Sequence, residues 1–405
     1  MKILQINSVC GVGSTGRIAT DLYKALEEQG HDCVIAYGRG TAPEGIKTIK
    51  IGTDLDNYIH VAKTRLSDKH GLGSTKATNE FIKKVEEYDP DIIHLHNIHG
   101  YYLNIEILFN YLNKTEKKVV WTLHDCWSFT GHCCYFEYNS CDKWKSGCKD
   151  CIQLKEYPQS IFVDNSKNNY SIKKKLFTNK KDLTIVSVSE WLKNIVEQSF
   201  LSKNEILKIS NGIDVDIFRR EKKNKYYEKY GLKNKKVILG VANVWDSRKG
   251  LNDFIKLSKL IDEDYSIVLV GLSDKQIKRL PENIIGITRT NNVEELVELY
   301  SNANVFINTS VEETFGMVNI EAMACGTPII VYNCTANPET VNQEFSYIVD
   351  KNNIDDIVKC INEINKKGKE FYSDKCIEWV RKNYRKKDMF NLYIDLYYKI
   401  LNSEK

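Results

Sequence analysis

Lys2-Ile3-Leu4-Gln5-Ile6-Asn7, then Gly11-Val12-Gly13-Ser14-Thr15-Gly16, then the run from Ile18 to Gln29 decide the fold. The first stretch is apolar and of strand length, and the last carries helical spacing. The glycines between them suit a turn in which backbone approaches phosphates at a helix start. Strand, glycine turn and helix in that order make the first half of a βαβ unit. The alternation recurs: Cys33 to Tyr37, Ile92 to His96, Val119 to His124 and Leu183 to Val188 read as strands, with helical patterns such as Asn79 to Glu87 between them. It predicts an α/β chain with a parallel sheet.

A second series starts after Ser210-Asn211-Gly212-Ile213-Asp214. Its strands are Val237 to Val241, Ile267 to Val270, Val305 to Asn308 and Ile329 to Val331, separated by helical patterns at Leu251 to Ile261, Val293 to Tyr300 and Val318 to Ala324. Two doubly wound, Rossmann-like halves with a ligand cleft between them are expected. The expected domains are 1–213, carrying a Cys-rich insertion at 126–151, then 214–385, then a helical tail at 386–405. The apolar stripe of that tail (Phe390, Tyr393, Ile394, Tyr397, Ile400, Leu401) can pack on either half, and packing back on the first is the expectation.

Composition agrees with two folded domains. The 405 residues include 42% hydrophobic and 28% charged, with 22 Gly and only 6 Pro, which excludes a disordered or collagen-like chain. The balance of 58 Lys+Arg against 54 Asp+Glu, net +4, argues against a nucleic-acid partner. No stretch approaches the roughly 18 uninterrupted apolar residues of a membrane span, and Met1 to Val9 lacks an export pattern. A cytoplasmic protein without an integral anchor is the reading.

The glycine turn taken alone says dinucleotide. That reading wants an acidic residue at the end of the second strand, and Ala36-Tyr37-Gly38-Arg39 offers none; Arg39 keeps a phosphorylated dinucleotide open, and a purely structural turn stands beside it. The second half carries a sharper signal, Glu312-Glu313-Thr314-Phe315-Gly316-Met317-Val318-Asn319-Ile320-Glu321-Ala322-Met323-Ala324-Cys325-Gly326-Thr327-Pro328. Glu313 falls on the loop after a strand and Glu321 a turn or more into the next helix, so both can face one ligand across the helix start. Carboxylates suit the paired hydroxyls of a sugar or ribose, and helix-start amides suit a diphosphate.

In these residues the chain resembles the retaining glycosyltransferases of family 4, enzymes of the two-domain GT-B fold. The resemblance covers nearly the whole chain, through the N-terminal glycine loop, Leu123-His124-Asp125, Ser210-Asn211-Gly212-Ile213-Asp214, Arg248-Lys249-Gly250 and the E-x7-E segment. It implies that Glu321 binds the donor ribose and Glu313 the donor sugar, with Phe315, Gly316 and Met317 beside the diphosphate and Gly13 on the donor side. It implies that Arg248 and Lys249 neutralise the donor phosphates and that His124 reaches the sugar, so that His124, Glu313, Arg248 and Lys249 form the catalytic group. Two departures stand out. Asn243 occupies the place of an Arg common before the Arg-Lys pair, and Thr335-Ala336-Asn337 replaces the usual Gly-Gly before Pro338-Glu339.

All eight histidines fall within the first 132 residues. His94 and His96 share one face of a strand, which invites a metal; acceptor contacts from His96, His99 and Gly100, or satisfied strand-end histidines, are the other readings. Six of the twelve cysteines lie between Cys126 and Cys151. Cys133, Cys141, Cys148 and Cys151 are the expected ligands of a structural zinc, with packed thiols and disulfides as alternatives. The loop around Trp144 reads as too poor in apolar residues to fold unaided. No cofactor is required for catalysis.

The resemblance implies an enzyme that moves a sugar from a nucleotide-sugar donor to a glycan or lipid-linked acceptor hydroxyl in building a bacterial surface polysaccharide. A nucleotide-sugar epimerase or a phosphorylase of the same architecture, or a non-enzymatic zinc-loop interaction protein, are the rivals. Lys173, Lys174, Lys175, Lys180 and Lys181 are expected to touch an anionic membrane.

Overall fold

The computed structural model describes residues 1–233 and 235–402, so the last three residues of the expected 386–405 tail lie outside it. The chain divides into two compact units, Met1–Ile209 with the segment from Phe390 onward, and Ser210–Met389. In the first unit the described strands are β1 Lys2–Val9, β2 Asp32–Arg39, β3 Thr48–Lys50, β4 Ile92–Leu95, β5 Lys118–Leu123, β6 Leu183–Ser187 and β7 Glu205–Lys208. They form one sheet in the order β3-β2-β1-β4-β5-β6-β7, parallel throughout. β4, β5 and β6 are buried at every position, as strands covered on both faces must be, and this is why they read as unbroken apolar runs.

The second unit repeats the plan. Its described strands are β8 Lys236–Val241, β9 Tyr265–Val270, β10 Ile284–Ile287, β11 Val305–Asn308, β12 Ile329–Tyr332 and β13 Tyr347–Val349, in the order β10-β9-β8-β11-β12-β13. Both orders reverse direction once, between β1 and β4 and between β8 and β11. At such a switch point the loops leaving the two strands part to opposite faces, and the crevice outside the strand ends is where ligands bind.

The C-terminal helix Lys386–Asn402 has no Gly or Pro, and its apolar residues recur at three and four. Phe390, Tyr393, Ile394 and Tyr397 enter the first unit's core with Ile3, Leu22, Tyr23, Ile35, Ile92 and Val120. Within the second unit, Ile213 bridges Arg385, and Lys386 Nζ lies 2.8 Å from Asp214 Oδ2, so the two segments that bound this unit run side by side. Among the described residues no helix is long and apolar enough to cross a membrane.

Candidate functional site

The switch point of the second unit holds the residues singled out in its sequence. β8 leads to a turn at Ser247–Lys249 that Asp246 caps, its Oδ1 accepting from the Arg248 amide at 3.0 Å. The Arg248 guanidinium is tied back to Asp246 Oδ2 through Nε at 3.2 Å and Nη2 at 2.7 Å. The loop after β11 stitches onto this turn: Thr309 Oγ1 donates to the Lys249 carbonyl at 2.9 Å, and the Val311 amide to the Arg248 carbonyl at 2.8 Å. Gly250, at φ +73°, is needed at the junction, since a Cβ there would stand 2.4 Å from Thr309 Oγ1.

Lys249 Nζ forms an ion pair with Glu313, both side chains mostly shielded from solvent. The Glu313 amide donates to Thr335 Oγ1 at 2.9 Å, and its carbonyl accepts from the Ala336 amide at 3.2 Å. The departure from Gly-Gly therefore has a structural role: Thr335 takes a left-handed backbone, φ +49°, that a glycine would adopt more easily, and its hydroxyl holds the Glu313 loop in return. Beyond Glu313, Gly316 at φ +94° opens the helix Met317–Ala324. Phe315 is buried with its ring 5.7 Å from that of Tyr384, so toward a ligand it offers backbone. Glu321 Oε2 accepts from the Tyr300 hydroxyl at 3.0 Å, and Tyr300 is itself fully buried.

Beneath these groups lies a buried network that sequence reasoning missed. Asn308 Nδ2 donates to Asn319 Oδ1 at 2.7 Å and to Asn337 Oδ1 at 3.1 Å, Asn319 Nδ2 donates to Thr340 Oγ1 at 2.9 Å, and Asn337 Nδ2 donates to the Ser310 carbonyl at 2.8 Å. It ties the end of β11, the helix start and the Asn337–Thr340 turn into one rigid seat. Three isolated asparagines show no periodicity and match no motif; their only signal was the strand-end position of Asn308.

In the first unit the switch point gathers histidines. Gly11, at φ +73°, cannot carry a Cβ without meeting Pro43 at 2.3 Å, whereas at Gly13, φ +65°, a Cβ would meet open space. Gln5 Oε1 lies 3.0 Å from His96 Nε2, and His96 Nδ1 lies 3.2 Å from His124 Nε2, the two rings stacked at 5.5 Å. His99 Nε2 lies 2.8 Å from Asp125 Oδ2, and its Nδ1 lies 3.2 Å from the Tyr157 hydroxyl. Burial pushes the Asp125 carboxyl up, but His99 and the Trp127 amide outweigh it and hold the group below the usual carboxylate range. His96, His99, His124, Asp125 and Trp127 line one small pocket; Gly100 stands beside it, its amide donating to His70 Nε2 at 3.2 Å. His94 turns away, with Nε2 2.8 Å from Thr122 Oγ1 and Nδ1 2.6 Å from the Tyr397 hydroxyl. The His94/His96 metal pair is therefore a hydrogen-bonded support for the pocket.

Residues 15–217, about half of the chain, match the family model described as Glycosyltransferase Family 4, and residues 222–383 match the one described as Glycosyl transferases group 1. The chain belongs to glycosyltransferase family 4. It is 29% identical to the capsular polysaccharide biosynthesis glycosyltransferase CapM of Staphylococcus aureus over 44% of this chain and 51% of that one, so it spans about half the length of that relative. It is 24% identical to an uncharacterized protein in the cps region of Klebsiella pneumoniae over 84% of this chain and 88% of the relative. The crystal structure of a glycosyltransferase from Rickettsia africae ESF-5 shares the fold, with TM-score 0.72 and 20% identity, over 99% of both chains.

The Cys-rich insertion of this family 4 chain corrects one expectation. Phe129, Phe136 and Trp144 are all buried, with Phe136 and Trp144 stacked at 5.0 Å and Phe129 5.5 Å from Trp144, so the loop has an aromatic core of its own. Cys133 is hydrogen-bonded to Cys151, which raises the first thiol and lowers the second to about 7, and Cys148 feels the charges of Cys141 and Cys151. Among the described residues, the one group of three ligand types drawn within 4.8 Å is instead His99, Asp125 and Cys134. Four thiolates on one zinc sit about 3.8 Å apart by tetrahedral geometry, so Cys133, Cys141, Cys148 and Cys151 would have to close further to hold it.

The basic helix is corrected too. Lys173 is buried, with Nζ donating to the carbonyls of Trp127 at 2.7 Å and Thr130 at 3.1 Å, and lying 3.4 Å from the Trp127 ring centre. Lys180 is buried with Nζ donating to the Thr115 carbonyl at 3.0 Å. Neither ammonium can reach a lipid surface, while Lys174, Lys175 and Lys181 remain exposed.

The buried histidines of the first unit predict acid lability. Burial lowers His60 and His94 to about 3 and His124 to about 4, the last against the pull of Asp125. Unfolded, each takes a proton near 6.5. Between 6.5 and these values the unfolded chain holds more protons, so stability is full above pH about 6.5 and falls as pH drops through the window. Each such histidine contributes a slope of about 1.4 kcal/mol per pH unit. Urea melts from pH 7 to pH 4 should show this decline, and His94→Gln should flatten it by about one proton. A pH-independent midpoint would refute the neutral, buried assignment.

Proposed function

We propose that this family 4 protein is a retaining glycosyltransferase that moves a sugar from a nucleoside diphosphate donor to a hydroxyl of a glycan or lipid-linked acceptor in building a bacterial surface polysaccharide. The observation that carries the reading is the Lys249–Glu313 pair at the β8/β11 switch point, one helical stretch from Glu321 on its Tyr300 support. A cation for the diphosphate and two carboxylates for hydroxyls are what a sugar nucleotide requires at a strand-end crevice. In this reading Glu321 takes the ribose, Glu313 the sugar, and Arg248 and Lys249 the phosphates. The pocket of His96, His99 and His124 serves the sugar and acceptor side.

Transfer breaks the bond between the anomeric carbon and the phosphate oxygen and forms one from that carbon to the acceptor oxygen on the same face. The acceptor proton passes to the departing phosphate oxygen, so no enzyme carboxylate is needed as nucleophile. Lys249 and Arg248 offset the negative charge the leaving diphosphate gains. Incubation with a panel of UDP-, GDP- and ADP-sugars, read as thermal stabilisation and slow donor hydrolysis, tests the donor class. Proton NMR of the first product formed tests retention: an inverted anomer would end the same-face account.

A structural zinc on Cys133, Cys141, Cys148 and Cys151 is part of the proposal, supported by the Cys133–Cys151 contact. Protein purified under reducing conditions should carry about one zinc per chain by the four-thiolate rule. Because Phe129, Phe136 and Trp144 already pack the loop, chelation should loosen it without unfolding the unit. Metal-free protein with a protease-resistant loop would leave packed thiols as the account.

A further inference from the structure

Three segments far apart in the sequence converge at the wall of the first unit's pocket. His99 lies on the loop after β4, Asp125 on the loop after β5, and Cys134 in the Cys-rich insertion. One ligand atom from each lies within 4.8 Å of the other two. His99 and Cys134 are buried, and the Asp125 side chain is only 12% exposed. Cys133, next in the chain, is hydrogen-bonded to Cys151 instead, so the neighbouring thiols serve different groups.

Each of the three is held from behind. Asp125 Oδ1 accepts the Trp127 amide at 2.9 Å, which leaves Oδ2 turned to His99 Nε2 at 2.8 Å. His99 Nδ1 lies 3.2 Å from the Tyr157 hydroxyl, and the Cys126 amide donates to the Cys134 carbonyl at 3.0 Å, pinning that residue beside the segment that carries Asp125. Metal-bound histidines have their second nitrogen engaged in this way, and ligating carboxylates are themselves hydrogen-bonded. A thiol–imidazole–carboxylate relay would instead need thiol and carboxylate on opposite ring nitrogens. Here Asp125 takes Nε2 and Tyr157 takes Nδ1, so the arrangement does not make a nucleophilic cysteine. Beside the group stands buried His70, its ring centre 5.7 Å from that of His99. Its Nε2 accepts the Gly100 amide, which leaves the ring proton on Nδ1, and among the described residues that nitrogen has no partner. A buried N–H without an acceptor is costly, and an oxygen bound beside His99 would give it one.

We propose that His99, Asp125 and Cys134 bind one divalent transition-metal ion of the zinc class, its fourth position turned to the pocket that His99 and Asp125 line. Imidazole, carboxylate and thiolate together suit zinc and disfavour magnesium and calcium, which seek oxygen alone. Ligand atoms around a tetrahedral zinc stand about 3.3 to 3.8 Å apart. That spacing falls between the 2.8 Å of the His99–Asp125 contact and the 4.8 Å limit of the group, so small side-chain movements complete the site. Three protein ligands with one position open make a zinc that takes an oxygen from water or from a bound molecule. Use of that position on an acceptor hydroxyl rests on the transferase reading. The binding of metal does not, and either can fail without the other.

Titration of cobalt(II), a coloured substitute for zinc, into the reduced, metal-free full chain tests it. With three protein ligands against four thiolates, the site should fill only when metal is supplied, after the set of Cys133, Cys141, Cys148 and Cys151. The parent should take up an equivalent that Cys134→Ala and Asp125→Asn each lose or bind at least about a hundredfold more weakly, a ligand counting for more than an outer partner. Tyr157→Phe should keep the stoichiometry and weaken that equivalent about tenfold, because it removes only the hydroxyl that orients His99. Tyr157 is 44% exposed, so melting of the metal-free Tyr157→Phe chain should match the parent. Cobalt uptake unchanged in Cys134→Ala would overturn the proposal. Loss of uptake in Cys134→Ala but not in Asp125→Asn would overturn it too, by giving Cys134 to the thiolate set. Should Cys134→Ala not fold, undiminished binding in both Asp125→Asn and Tyr157→Phe refutes the site equally.

Discussion

Lys249→Ala is expected to slow sugar transfer by roughly two to three orders of magnitude, the usual loss when one stabiliser of developing charge is removed. The size of the effect follows from how firmly the residue is placed. Its carbonyl is held by Thr309 and its neighbour's carbonyl by Val311, and the turn closes on Thr309 so tightly that only a glycine fits at 250. The turn that carries the ammonium is fixed in this way, and the charge it offsets appears on the leaving diphosphate, so its loss should be felt chiefly at the transition state. Removing it also strands the Glu313 carboxylate without its partner. Arg248 shares its guanidinium with Asp246, so Arg248→Ala should fall at the lower end, about a hundredfold. Steady-state rates at saturating donor decide the matter, and wild-type turnover in the double variant would remove both residues from the reaction.

The two glutamates of the E-x7-E segment should separate kinetically. Glu321→Ala is expected to raise the donor dissociation constant by roughly 10- to 150-fold, the worth of about 1.5 to 3 kcal/mol in hydrogen bonds to a charged group. Ribose is held alike before and during the reaction, so turnover at saturation should change little. Glu313→Ala should do the reverse, lowering turnover with a modest change in affinity, because positioning of the reacting sugar matters most as its bond breaks. Tyr300→Phe should copy Glu321→Ala weakly, since it removes the 3.0 Å hydrogen bond that orients that carboxylate. Equal losses of affinity in both glutamate variants, with turnover untouched in each, would contradict the division of roles.

Much of the scaffold was legible because central parallel strands are buried on both faces. β1, β4, β5, β6 and β11 stand out as apolar runs, and the motifs fall at the ends of β8 and β11 where a switch point needs them. The strands that gave no clear signal are β3, β7, β10 and β13, the sheet edges, short and half-exposed, where one face no longer demands apolar side chains. The helix Asp54–Ser67 shows a different limit. Leu55, Tyr58, Ile59 and Leu66 have the spacing of a core-facing stripe yet are exposed, and periodicity gives a stripe without saying which side of the helix the protein covers. Lys173 was misread for the opposite reason: in a lysine-rich run nothing marks the one ammonium that two carbonyls and the Trp127 ring draw inside. The aromatic core of the insertion was hidden because Phe129, Phe136 and Trp144 are brought together by irregular turns, which carry no period.

Seating of a nucleotide sugar on Glu313, Glu321, Arg248 and Lys249 is decided by calorimetric titration of UDP-, GDP- and ADP-sugars into the parent chain and Glu321→Ala. One nucleotide class is expected to bind the parent protein at one site per chain and to bind Glu321→Ala at least tenfold more weakly, with both proteins equally folded. Absence of binding by every nucleotide sugar, or binding of undiminished strength to Glu321→Ala, would contradict it.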